Sequence, residues 1–284
     1  MKYDEFVAHV RVQIDGVLSD CKPLKDAIEN LLSASHPARS DLVDKLKGAQ
    51  RLETVISEYL RPATVSCLKN LDCAGRDFKK RWDAAREVLA WLCVLSVRDG
   101  WQIVTKITGK QGSDCFFEIP VKTELGVEIL CSHYHRRRVA FPENPPMKSD
   151  IPGRDRFSAE LPGGSFEPNV AVDEFIRLNI WRQVFPREES KDRLSNMEIE
   201  RLDDELEERS KYNETEHHYL SFSPMQSTPL KNDEFLCRLL GKLPHLRVFR
   251  MGDGSCPLLV ATESKMLAAI TGFLKLPEYL RKRP

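Results

Sequence analysis

Apolar residues in the first hundred positions return with a spacing near four, the mark of an amphipathic helix. Phe6, Val10, Ile14 and Leu18 form one such row, and Leu24, Ala27, Ile28, Leu31 and Leu32 form another after Pro23. A third starts at Ser40, a good N-cap residue, and runs through Leu42, Leu46, Ala49, Ile56 and Leu60 to Arg61-Pro62. Pro62 suits the first turn of a further helix, where its missing N–H is no loss. The strongest row is Phe78, Trp82, Ala85, Leu89, Leu92 and Leu95, and it predicts a helix over 76–97 that Asp99-Gly100 stops.

Beyond Gly100 the spacing drops to two. Trp101, Ile103, Thr105 and Ile107 alternate with polar neighbours, the glycines at 109 and 112 offer a turn, and the runs 115–120 and 127–135 look like two more strands. From Phe141 to Asn169 the chain is rich in Pro, Gly and charge, as a long loop or linker is. Helical spacing resumes with Val172, Phe175, Ile176, Ile180 and Val184, and a highly charged helix follows, capped at Ser190, with a seam of Leu194, Met197, Leu202 and Leu206. The last seventy residues read as strand 217–222, helix 232–240, strand 245–251, a Gly-Asp-Gly-Ser hairpin turn, strand 258–261 and helix 264–274. The expected fold is therefore α+β. It comprises a helical region (1–98), a small antiparallel β-meander packing on it (99–140), a long loop (141–170), a helical segment (171–212) and a βαββα unit (213–284).

Composition adds bounds. The chain of 284 residues is long enough for one or two hydrophobic cores, and its 41% apolar and 30% charged residues describe a packed protein. Forty-three basic residues balance forty-three acidic ones, so any nucleic-acid or membrane attraction needs a local patch. Asp4, Glu5 and Asp15 interrupt the N-terminal stretch where a secretory signal needs an apolar run. Eight scattered cysteines without a CxxC pair suit a reducing compartment, and a cytoplasmic location is expected.

Three groups of residues invite chemistry. On a strand over 127–135, Cys131, His133 and His135 share a face, and a thiolate with two imidazoles is a sound ligand set for zinc, as in a zinc-dependent hydrolase. Adjacent members stand about 7 Å apart along such a strand, which favours two ligands on one ion over three. Arg136, Arg137 and Arg138 form a compact basic run that suits phosphate contacts in a nucleic-acid-binding module, or contacts to an acidic partner. Gly252-Asp253-Gly254-Ser255-Cys256 resembles the nucleophile segment of the OTU-type cysteine proteases, and the resemblance implies Cys256 as nucleophile. It covers five residues only. Pro257 follows where that family opens a helix, and no histidine occurs downstream to act as base.

No motif supplies a complete catalytic set, so the reading is a non-catalytic binding or regulatory protein acting through protein–protein contacts. The partner-binding residues expected are Arg136, Arg137 and Arg138 and the seam Leu194, Met197, Leu202 and Leu206. In overall composition the chain resembles accessory proteins of bacterial signalling or defence systems, which implies a regulatory role.

Overall fold

The computed structural model describes residues 3–35, 41–47, 51–97, 116–119, 121, 123–134, 136–139, 141, 156–158, 170–188, 191–212, 218–222, 232–252 and 263–282. Two units divide the chain. The first holds Met1–Trp101, Glu128–Pro142 and Cys256–Pro284, and the second holds Gln102–Val127 and Glu143–Ser255.

The first unit is built of helices: α1 (Tyr3–Asp20), α2 (Lys22–Ser35), α3 (Leu42–Lys47), α4 (Leu52–Val55), α5 (Arg61–Leu68), α6 (Arg76–Leu95), most of α7 (Glu124–Tyr134), then α11 (Glu263–Leu274) and α12 (Leu276–Arg281). The row Phe6, Val10, Ile14 and Leu18 is buried as one face of α1, which packs on α6. Every residue from Val88 to Val97 is buried, so the second half of α6 is enclosed on all sides rather than along one stripe. Each leucine fully removed from water there contributes roughly 1.5–3 kcal/mol. Trp82, earlier on α6, stacks on Phe273 of α11 at 5.4 Å between ring centres. Arg61-Pro62 does not break the chain of helices. Ile56–Leu60 widens into a π-turn between α4 and α5, with the Arg61 N–H bonded to the Ile56 carbonyl. Thr64 Oγ1 donates 2.7 Å to the Leu60 carbonyl, so that oxygen is also satisfied.

The second unit contains β1 (Phe116–Ile119), β2 (Arg156–Ser158), α8 (Val170–Val184), α9 (Asn196–Tyr212), β3 (His218–Phe222), α10 (Asp233–Lys242) and β4 (Leu246–Met251). The four short strands form a sheet in the order β1-β4-β3-β2, every pair parallel, with Val248 opposite both Phe116 and Leu220. Parallel neighbours need crossovers, and α10 supplies one between β3 and β4. Its start is capped by Asn232, whose side chain accepts from Glu234 N at 2.8 Å and Phe235 N at 3.4 Å. Ile176, Ile180 and Trp181 of α8, Leu202 and Leu206 of α9, and Phe235, Leu236 and Leu239 of α10 close the core against Leu246 and Val248 of β4.

The α+β expectation with an antiparallel meander and a βαββα unit is overturned. Helix accounts for most of the described residues, and the strands present are short and parallel. The stretch 127–135, expected as a strand, lies largely within α7. Thr123 caps that helix, its hydroxyl accepting from Gly126 N at 3.1 Å and its carbonyl from Val127 N at 3.0 Å. β4 carries a parallel strand on each edge, which leaves no edge for the antiparallel partner of a hairpin. The expected strands at 101–107 and 258–261 lie outside the described residues, as does most of the loop 141–170.

Candidate functional site

The end of α7 holds Cys131 and His133 and runs on into the arginine run. Residues two apart on a helix do not face each other, so Cys131 and His133 lose the common face that a strand offered. His135 lies outside the described residues. His133 is buried in the first unit, its Nδ1 2.8 Å from the Val94 carbonyl and its ring edge-on to Phe6 at 5.1 Å. Burial pushes its pKa below the ordinary 6.5, with the Val94 carbonyl opposing. The ring is therefore a neutral core group at pH 7.

The arginine run terminates this helix. Arg136 takes a left-handed φ of 55°, its N–H donating to the His133 carbonyl at 3.3 Å, and Arg137 N–H donates to the Ser132 carbonyl at 3.0 Å. That pair of bonds is a Schellman C-cap with an arginine where glycine is usual. Arg137 then turns inward. Its Nη1 donates to Glu128 Oε1 at 2.7 Å and to Ser132 Oγ at 3.0 Å, and Ser132 Oγ donates to the same carboxylate at 3.0 Å. Arg138 pairs with Glu87 of α6 at 3.0 Å, and Val139 N–H donates to the Ala90 carbonyl at 3.3 Å. Two of the three guanidinium groups are thereby engaged with carboxylates that tie this segment to its own unit.

Most of the charged helix's seam is core. Leu194, Leu202 and Leu206 are buried together, whereas Met197 is 80% exposed. Ile199 supplies the inward contact in its place. The helix starts six residues after Ser190, at Asn196, where Ser195 and Glu198 form a capping box: Ser195 N and Oγ donate to Glu198 Oε2 at 2.8 and 2.9 Å. Lys191, followed by these Ser195 donors, holds the Glu198 carboxyl down to about 2. Cys256 lies outside the described residues. Among the described cysteines, burial pushes Cys67 up to about 11 and raises Cys93 further, which keeps both as thiols at neutral pH.

Two concave surfaces were not foreseen. In the first unit a groove of about 730 Å³ runs between α1 and α6, lined by Val12, Gly16, Val17 and Asp20 on one side and Arg76, Lys79, Lys80, Asp83 and Glu87 on the other. Val12 is 65% exposed on a helix otherwise amphipathic, and a Cβ added at Gly16 meets nothing within 4 Å. Asp83 and Glu87 are paired with Arg86 and Arg138, but Arg76, Lys79 and Lys80 have no partner among the described residues. In the second unit a cleft of about 330 Å³ is walled by Asp173, Glu174 and Arg177 of α8, Arg193 and the start of α9, and Arg238 and Lys242 of α10. Leu194, Ile199 and Phe235 form its buried floor. No protein-family model matches this chain, and no curated protein or solved structure matches it. No described helix is long and apolar enough to cross a membrane.

Proposed function

We propose that this chain is a non-catalytic binding protein that acts through protein–protein contacts, with the α1–α6 groove as its docking surface. One observation carries the reading: an apolar side chain left in water, Val12, shares a groove with three cations that have no partner among the described residues, Arg76, Lys79 and Lys80. An acidic amphipathic helix from another protein meets both needs. Its apolar stripe covers Val12 and Val17, Gly16 lets its backbone approach closely, and its carboxylates face the basic first turns of α6. Occupancy of the groove would then regulate the protein that owns the helix.

Photocrosslinking from position 12 in cells that naturally express the chain tests this. The expected result is one discrete heterologous adduct, lost on the double charge reversal Lys79→Glu with Lys80→Glu and weakened by added salt. An adduct that survives the reversal, a self-adduct or no adduct overturns the reading.

A further inference from the structure

We propose that the cleft among α8, α9 and α10 of the second unit binds a small organic phosphate whose body is apolar or aromatic. Four cations, Arg177, Arg193, Arg238 and Lys242, face two carboxylates, Asp173 and Glu174, so the cleft carries two positive charges in excess. A phosphate monoester brings about −1.5 to −2 at neutral pH and matches that excess.

Three of the four cations lean on the cleft's own carboxylates, Arg193 Nε lying 2.9 Å from Glu174 Oε1, and the fourth, Arg238, does not. Asp173 is shared: its Oδ1 accepts from Arg177 Nε at 3.2 Å, while its Oδ2 accepts from Arg177 Nη2 at 2.9 Å and Lys242 Nζ at 3.2 Å. The clamp fixes the Arg177 guanidinium, whose side chain is 9% exposed, yet leaves Nη1 without a hydrogen bond among the described residues. A planar, pre-oriented guanidinium with a spare N–H is the preferred donor to phosphate oxygens. Arg238 has no partner among the described residues and stands one helical turn from Lys242, a like-charged pair that destabilises a helix until an anion neutralises it. Beneath the charged rim, Leu194, Ile199 and Phe235 offer an apolar floor that a bare phosphate leaves unused. The volume falls at the small end of ligand sites.

Calorimetric titration of the full chain at low salt with phenyl phosphate, inorganic phosphate, benzoate and benzyl alcohol tests each half of the proposal. Phenyl phosphate should bind tightest and benzyl alcohol not at all. Arg238→Ala, at an exposed position, should weaken phenyl phosphate about tenfold, the loss of one charge-assisted hydrogen bond. Lys242→Ala is the second variant, and Lys265→Ala on α11 is the control that leaves affinity unchanged. The proposal is overturned by no binding of phenyl phosphate, by equal binding of inorganic phosphate or benzoate, by tighter binding of a phosphoserine peptide, or by an Arg238→Ala variant that is folded and binds as the parent does.

Discussion

Arg137 is the sharpest place to separate structural arginine from ligand-reading arginine. Its side chain is 16% exposed and that of its partner Glu128 is 6% exposed, so water screens the pair little. Arg137→Met removes the charge while keeping a long apolar stem, and it leaves the Glu128 carboxylate with the Ser132 hydroxyl in a buried site. Breaking one side of a buried pair costs about 3–5 kcal/mol, because the surviving buried charge has lost its opposite charge. Glu128→Gln commits the mirror error on the arginine and should cost about 2–4 kcal/mol. The double variant has no charge left to strand, so its cost should fall at least about 2 kcal/mol short of the sum. Urea denaturation followed by far-ultraviolet circular dichroism measures all three. In a thermal scan the single Arg137→Met variant should melt roughly 6–20 °C lower. A loss under about 1 kcal/mol, or additivity within about 0.5 kcal/mol, refutes the assignment. So does a variant of unchanged stability that has lost affinity for a nucleic acid, which would return the arginine run to phosphate reading.

Two further outcomes follow from burial. Leu206→Ala removes a fully buried side chain from the second unit's core and should cost about 2–5 kcal/mol, whereas Met197→Ala, four-fifths exposed, should stay within about 0.5 kcal/mol; similar losses in a denaturation series would show that both belong to one surface. His133 has a folded pKa below its ordinary 6.5, so the unfolded chain takes up a proton that the folded chain refuses. Its contribution is complete above that pH and is lost as pH falls through the folded value. His133→Gln should therefore flatten the decline of stability as pH falls below about 6.5, and parallel curves for variant and parent would refute a neutral buried ring.

Legibility in the sequence tracks how one-sided each helix is. In α1 one face is apolar and the other polar, and Phe6, Val10, Ile14 and Leu18 mark it plainly. In α7 the glycine at 126, Val127, Glu128, Ile129 and Leu130 are all buried, so no polar face exists to reveal a period of 3.6. Val127, Ile129 and Cys131 then imitate the alternation of a strand. Two local signals favoured helix: Thr123 as a cap and the uninterrupted eleven residues of Glu124–Tyr134. Parallel pairing was out of reach for another reason. A hairpin is announced by its turn, but β1 and β4 are joined only by register across more than a hundred intervening positions.

The candidate surfaces divide along the same line. The cleft residues run from Asp173 to Lys242, and in sequence Asp173 with Arg177 is indistinguishable from a solvated pair one turn apart. Only the approach of Lys242 Nζ on α10 to Asp173 Oδ2 on α8, at 3.2 Å, makes it a third member and turns a neutral pair into part of a cationic cleft. The groove left more trace. Val12 stands two residues from both Val10 and Ile14, on the side of α1 that the apolar row assigns to water, and Met197 is out of phase with Ile199, Leu202 and Leu206 in the same way. A residue that breaks its helix's own pattern is evidence only when its neighbours in space give it company. Val12 shares its groove with Gly16, Val17 and three cations without partners among the described residues, whereas Met197 lines neither concave surface. That difference is why we propose the docking surface on α1 and α6 rather than on the charged helix where the sequence first suggested it.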